Sequence, residues 1–283
     1  MKKNLIIISC LVLALVLIIN VLIRSSDVEY LPESPLPQVS ASIYPLYDIA
    51  RTIGNTVVDV QLILPPGASP HTYELNPQKV NILEQSERVF VIGYGADDWI
   101  IPFVSDPSRL TRVDRQIELR NSTNEDESTI DPHYWLNVTN AMKIAQTIAD
   151  ELRQIQPEKT AIIQMNLQNY LAELERLDLQ VREQLSRLSN KHILTFHDAW
   201  YYFADAYGLT ISGTFEPQAG REPTPAYLVS LANIVQSTNI HTMYSEPQFS
   251  STNLQSFLSD YTMQVAVLDP IGGSVTTDTY IHL

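Results

Sequence analysis

A chain of 283 residues, 45% hydrophobic and 18% charged, is long enough for a sizeable core and two lobes of ordinary size, and it excludes low-complexity disorder. Its net charge of −14 repels nucleic acid phosphates and anionic lipid, and mildly favours capture of cations. The one cysteine, Cys10, lies in an N-terminal apolar run, so the folded part has no disulfide, no thiol nucleophile and no cysteine-based metal site. Any metal must be held by nitrogen and oxygen donors.

Residues 1–24 begin with Met1-Lys2-Lys3-Asn4, continue as an apolar run from Leu5 to Ile23 and end at Arg24. A run of about nineteen residues at helical rise spans roughly 28 Å, enough to cross a bilayer. The lysines before it and Asp27 and Glu29 after it predict an inside N-terminus and an exported body. Two readings fit: an uncleaved signal anchor, which the length favours, and a lipoprotein signal, because Ile7-Ile8-Ser9-Cys10 loosely resembles a lipobox. Residues 25–38, with Pro32, Pro35 and Pro37, read as an extended tether.

From residue 39 short β-type runs alternate with helical patterns: strand 39–43, helix 46–53, strand 57–64, helix 76–85 and strand 88–92. This βαβ rhythm predicts a mostly parallel sheet covered by helices in a first lobe, 39–156. Residues 157–190 form one long helical pattern, with Pro157 in its first turn and apolar residues from Ile162, Met165 and Leu167 through Leu174 and Leu179 to Leu185. Some thirty residues make a helix of about 45–50 Å, longer than one lobe needs, so it is expected to bridge two lobes. The rhythm then resumes in a second lobe, 191–283, with strands at 192–196, 209–214, 241–245 and 264–268 and helices at 199–207, 225–236 and 252–258. The predicted fold class is α/β: two doubly wound lobes with parallel sheets, joined by one long rigid helix.

His71 follows the strand 57–64 through a Pro/Gly loop, His133 sits at a turn before a helix, and His197 and Asp269 directly follow predicted strands. Ligands of open α/β sheets bind in the crevice beyond the carboxyl ends of strands, so at least three of these four groups are placed to meet there, two groups coming from each lobe. Three imidazoles and one carboxylate suit Zn²⁺. His192 and His241 lie at strand starts and His282 at the end of the chain, and they are expected to be exposed or locally bonded.

Ser69-Pro70-His71-Thr72-Tyr73-Glu74, Asp131-Pro132-His133-Tyr134-Trp135-Leu136, Phe196-His197-Asp198-Ala199-Trp200 and Leu268-Asp269-Pro270-Ile271-Gly272-Gly273 resemble, in order, the four metal-ligand motifs of the zinc/manganese-binding solute-binding proteins of ABC transporters (the cluster A-I family). Segments at 221–225 and 245–249 resemble further family segments, and the likeness covers about residues 38–283. The resemblance implies two lobes on a rigid helix with the metal buried between them, and delivery of that metal to a membrane permease. It implies His71 and His133 as ligands from the first lobe and His197 and Asp269 from the second, with Glu74 and Glu222 as outer or surface residues. A histidine rather than a carboxylate at 197 favours zinc over manganese, which prefers oxygen donors; manganese stands second, and copper also suits a histidine-rich site. Two departures stand out: an acidic stretch, 121–128, replaces the His-rich loop of many zinc-specific members, and the family's final helix has no counterpart before Leu283. The rival readings are a surface adhesin and a zinc hydrolase with Asp198 as base. A fourth ligand at Asp269 closes the position that hydrolytic water would need, which argues for a non-enzyme.

Overall fold

The computed structural model describes residues 35–122, 130–217, 222–248, 254–273 and 278–283. The apolar N-terminal run and most of the acidic stretch at 121–128 lie outside these residues. No helix among the described residues is long and apolar enough to cross a membrane.

The first half is built from β1 (Gln38–Ala41), α1 (Tyr44–Gly54), β2 (Asp59–Leu62), α2 (Pro77–Gln85), β3 (Arg88–Val91), β4 (Leu110–Arg112) and α3 (Val138–Ile155). Pro45 near the start of α1 needs no hydrogen-bond donor there, and Leu46, Ile49, Ala50 and Ile53 recur at helical spacing on its buried face. Asn76 caps α2 by accepting from the Lys79 amide, and Asn137 caps α3 by accepting from that of Thr139. The strands are parallel in the order β2-β1-β3-β4. Phe90 packs in the core beneath α1 and α3, while its neighbours Val89 and Val91 pack with Ile63, Leu83 and Ile100 on the opposite face. Both faces of this sheet are therefore covered, as a parallel sheet requires.

The connecting helix α4 spans Thr160–Ser186, preceded by a 3₁₀ turn over Pro157–Lys159. It is thus shorter at both ends than the expected 157–190. Its buried stripe is Ile163, Leu167, Tyr170 and Leu174, at the 4-3-4 spacing of one helical face. Ile162, Met165 and Leu179 fall off that stripe and are exposed, contrary to the apolar pattern expected of them. Asn166 donates to the Ile53 carbonyl at 2.9 Å, and further along Asp178 accepts from Tyr207 and Arg182 donates to the Ala206 carbonyl, so the helix holds elements from both halves of the fold.

The second half comprises β5 (His192–His197), α5 (Tyr201–Tyr207), β6 (Thr210–Glu216), α6 (Pro225–Thr238), β7 (Thr242–Ser245), α7 (Leu254–Asp260) and β8 (Gln264–Val267), with parallel strand order β6-β5-β7-β8. Its own core gathers Leu194, Phe196, Phe215, Leu231, Val235 and Phe257. Gly213 on β6 lets α6 approach: a Cβ there would lie 2.5 Å from Leu231 Cδ1. The edge strand β8 leaves Val265 and Val267 exposed. The final turn, Tyr280–His282, packs on the first half, with Tyr280 in the core shared by α1 and α3. The expected second lobe, 191–283, therefore includes a last segment that lies against the first. The architecture is the predicted one: two parallel α/β layers joined by a long helix.

Candidate metal centre

The strand order reverses direction of growth at β5, whose sequence neighbour β6 lies on one side and β7 on the other. Such switch points open a crevice beyond the carboxyl ends of the strands. His197 is the last residue of β5, and Glu246 follows the last residue of β7, so the two reach the crevice from adjacent strand ends. The His197 Nδ1 and the Glu246 carboxylate are 2.5 Å apart, with both side chains buried.

From the first half, His71 stands on a 3₁₀ turn, Pro70–Thr72, beyond β2. The Trp99 indole holds this turn by donating to the Pro70 carbonyl at 2.9 Å. His133 begins the 3₁₀ turn Tyr134–Leu136 that leads into α3. Its Nδ1 lies 2.8 Å from Asp131 Oδ1, which also accepts the His133 amide.

These three imidazoles converge. Ring centroids lie 5.5 Å apart for His71 and His133, 5.9 Å for His71 and His197, and 5.3 Å for His133 and His197. One ring nitrogen from each falls within 4.8 Å of the others, the spacing of donors around a single ion. An Nδ1–H held by a carboxylate leaves the lone pair on Nε2, the arrangement common among metal-bound histidines. His133 Nε2 is buried and has no hydrogen-bond partner among the described residues. A buried acceptor is costly to leave unsatisfied, and a cation among the three rings would satisfy it.

The electrostatics agree with that use. Burial, reinforced by the neighbouring His133 and His197, lowers the His71 pKa to about 3, so this imidazole is neutral at physiological pH. Burial also pushes His197 down, but the charge and hydrogen bond of Glu246, with Asp198 and Asp131 behind it, outweigh burial and hold its pKa above the ordinary imidazole value. A metal arriving at His197 therefore competes with a proton. Asp198 is raised by burial, against the opposing pull of His133 and His197.

Asp269, the fourth expected ligand, is buried at the end of the strand layer but is not among the three-donor group. Its Oδ1 accepts from Gln248 Nε2 at 2.7 Å and from the amides of Ile271 and Gly272 at 3.1 and 3.0 Å. Its neighbours Pro270 and Ile271 line the cavity beside the histidines. Glu74 and Glu222 are both exposed, so the carboxylates that orient the imidazoles are instead Asp131 and Glu246. Asp131 had a sequence signal, an acid two residues before a histidine at a turn; Glu246 had only its position after a strand. The control histidines behave as expected: His192 is exposed beside Ser212 Oγ, His241 is exposed, and His282 is exposed beside Asp278.

Comparison with known proteins gives the same frame. The family described as zinc-uptake complex component A, periplasmic (ZnuA), matches residues 39–283. The chain is 27% identical to the high-affinity zinc uptake system protein ZnuA of Haemophilus ducreyi over 84% of this chain and 86% of that protein. It is 26% identical to the manganese-binding lipoprotein MntA of Halalkalibacterium halodurans, over 82% of this chain and 76% of that protein. A crystal structure of ZnuA superposes with a TM-score of 0.78 at 27% identity, covering 87% of this chain and 95% of the other. A zinc-bound ZnuA deletion mutant gives 0.77 at 28% identity, covering 84% and 91%. With its parallel sheets, its bridging helix and a match across nearly the whole described fold, the chain belongs to the ZnuA family of periplasmic zinc-uptake components.

Proposed function

We propose that this protein captures a divalent transition metal outside the cytoplasm, zinc foremost, and passes it to the permease of an ABC transporter. The observation that carries this reading is the convergence on one point of His71 and His133, from two separate turns, and of His197, from the end of β5. Asp269 serves as the fourth ligand once metal arrives, giving a closed N₃O set from both halves of the fold. Such a set favours zinc on the grounds of its nitrogen content; manganese, named for MntA among the relatives, stands second. With all four positions filled by protein there is no open coordination site to activate water, so the protein acts as a carrier and not as a hydrolase. Residues 1–24 tether it to the membrane, either as an uncleaved anchor or through lipidation at Cys10; MntA among the relatives is itself described as a lipoprotein.

Calorimetric titration of the purified protein with Zn²⁺ and with Mn²⁺, paired with elemental analysis of the protein as isolated, tests the reading. One zinc per chain, bound more tightly than manganese, is the expected result. Tighter manganese binding would reassign the cargo, and failure of both metals to bind would refute the site.

A further inference from the structure

The final turn of the chain reaches the metal centre through a tryptophan. The Tyr280 hydroxyl is buried and donates to the Trp135 carbonyl at 2.6 Å. The Trp135 indole in turn donates to the Pro270 carbonyl at 2.8 Å. Trp135 lies two residues after His133, with their rings 5.3 Å apart, and Pro270 directly follows Asp269. One tryptophan therefore joins the turn that follows His133 in the first half to the loop that follows Asp269 in the second. The same Tyr280 is fixed at its backbone, where its amide donates to the buried Asp48 at 2.8 Å.

On the reading that His133 and Asp269 hold the metal, we infer that Tyr280 is a positioning residue for the metal centre, acting through Trp135. Ligand atoms bind a metal well only when held within about half an ångström of their productive geometry, so groups that fix the ligand-bearing turns affect affinity without touching the ion. The Tyr280 hydroxyl satisfies the buried Trp135 carbonyl. Without it the turn 134–136 is free to relax, and His133 and the indole bond to Pro270 shift with it.

Tyr280→Phe removes one oxygen and keeps the packing. A second variant separates positioning from simple anchoring of the final segment. The Tyr44 hydroxyl donates to the Asp278 carbonyl at an exposed site, and Tyr44→Phe loosens that anchor without altering the Tyr280–Trp135 bond. The readouts are zinc affinity against a competing chelator and the visible ligand-field spectrum of the Co²⁺-substituted protein, alongside the melting temperature without metal. Tyr280→Phe should weaken zinc by about tenfold and alter the Co²⁺ spectrum, whereas Tyr44→Phe should leave both as in the unmodified protein. A fall in melting temperature with affinity and spectrum unchanged overturns the inference, and so does equal weakening in the two variants. Absence of zinc binding in the unmodified protein would instead refute the metal reading beneath it.

Discussion

Glu246 and Asp131 convert two buried histidines from core residues into aimed donors. Each takes an imidazole at Nδ1 and so fixes both the tautomer and the ring plane. Glu246→Gln keeps the shape but removes the charge that secures His197, and should weaken zinc 10–100-fold, measured by chelator competition. His241→Ala, on an exposed strand start, should bind as the unmodified protein does; equal losses in the two would show that the site is elsewhere. His71 and His197 were legible because their position after strands is written in the alternation of apolar runs, and His133 because it stands at a turn before a helical pattern. Glu246 was not, because its role depends on β7 lying beside β5, and strand order is a property of the sheet and not of any local segment. A further buried carboxylate, Asp97, acts on stability. Asp97 accepts the amides of Ile92 and Gly93, and burial raises its pKa to about 6 despite those bonds. Because burial raises the folded Asp97 pKa from about 4 to about 6, protonation of Asp97 favours the fold, and this contribution is fully present below pH 4 and is lost as pH rises through 6. A shift of about two units corresponds to roughly 3 kcal/mol. Chemical unfolding at pH 4, 5 and 7 should show the unmodified protein gaining stability relative to Asp97→Asn as pH falls. A constant difference between the two would place the Asp97 pKa at its ordinary value.

At the scale of elements, α3 is tied to the first sheet by a buried charge cluster. Glu151 on α3 lies 3.1 Å from the Arg88 guanidinium at the start of β3 and pairs with Arg115 just beyond β4. The Glu151 side chain is only 3% exposed, whereas Arg115 is half exposed and Arg88 lies between. Removing the buried acid strands Arg88, so Glu151→Ala should cost about 3 kcal/mol in urea unfolding. Arg115→Ala should cost less than about 1 kcal/mol, because its charge keeps access to water. Equal costs would mean that the cluster is solvated and contributes little. Of these elements, β3 was legible as an apolar run, but β4, with sequence Leu-Thr-Arg, was not. It is a short edge strand with one buried residue, and too short to show a period. The ends of α4 were misjudged for a related reason. Pro157 marks the start of a helical run, yet the first turn is 3₁₀, and at the other end the α-helix stops at Ser186.

Over the whole molecule, the imidazoles of the candidate site come from both halves of the fold, so the proposed metal binding is expected to form one equilibrium with the docking of those halves. The doubly wound architecture was legible from the strand and helix rhythm, because that rhythm is imposed by burial on both faces of each sheet. The return of Tyr280 to the first half was not, because nothing in a local pattern tells a terminal turn which core it joins. A ligand that binds only the assembled protein stabilises it by mass action, by about 2.7 kcal/mol at a free concentration a hundred times the dissociation constant. For a chain of this size that corresponds to a rise in melting temperature of roughly 5–10 °C. Excess Zn²⁺ should therefore raise the melting temperature of the unmodified protein by this order, and Mg²⁺, which holds its water and prefers oxygen donors, should leave it unchanged. The rise should be largely lost in His133→Ala and in His197→Ala alike, since each removes one donor from a different half. If only one of the two variants lost it, the ion would be held within a single half, and binding would not report on how the halves dock.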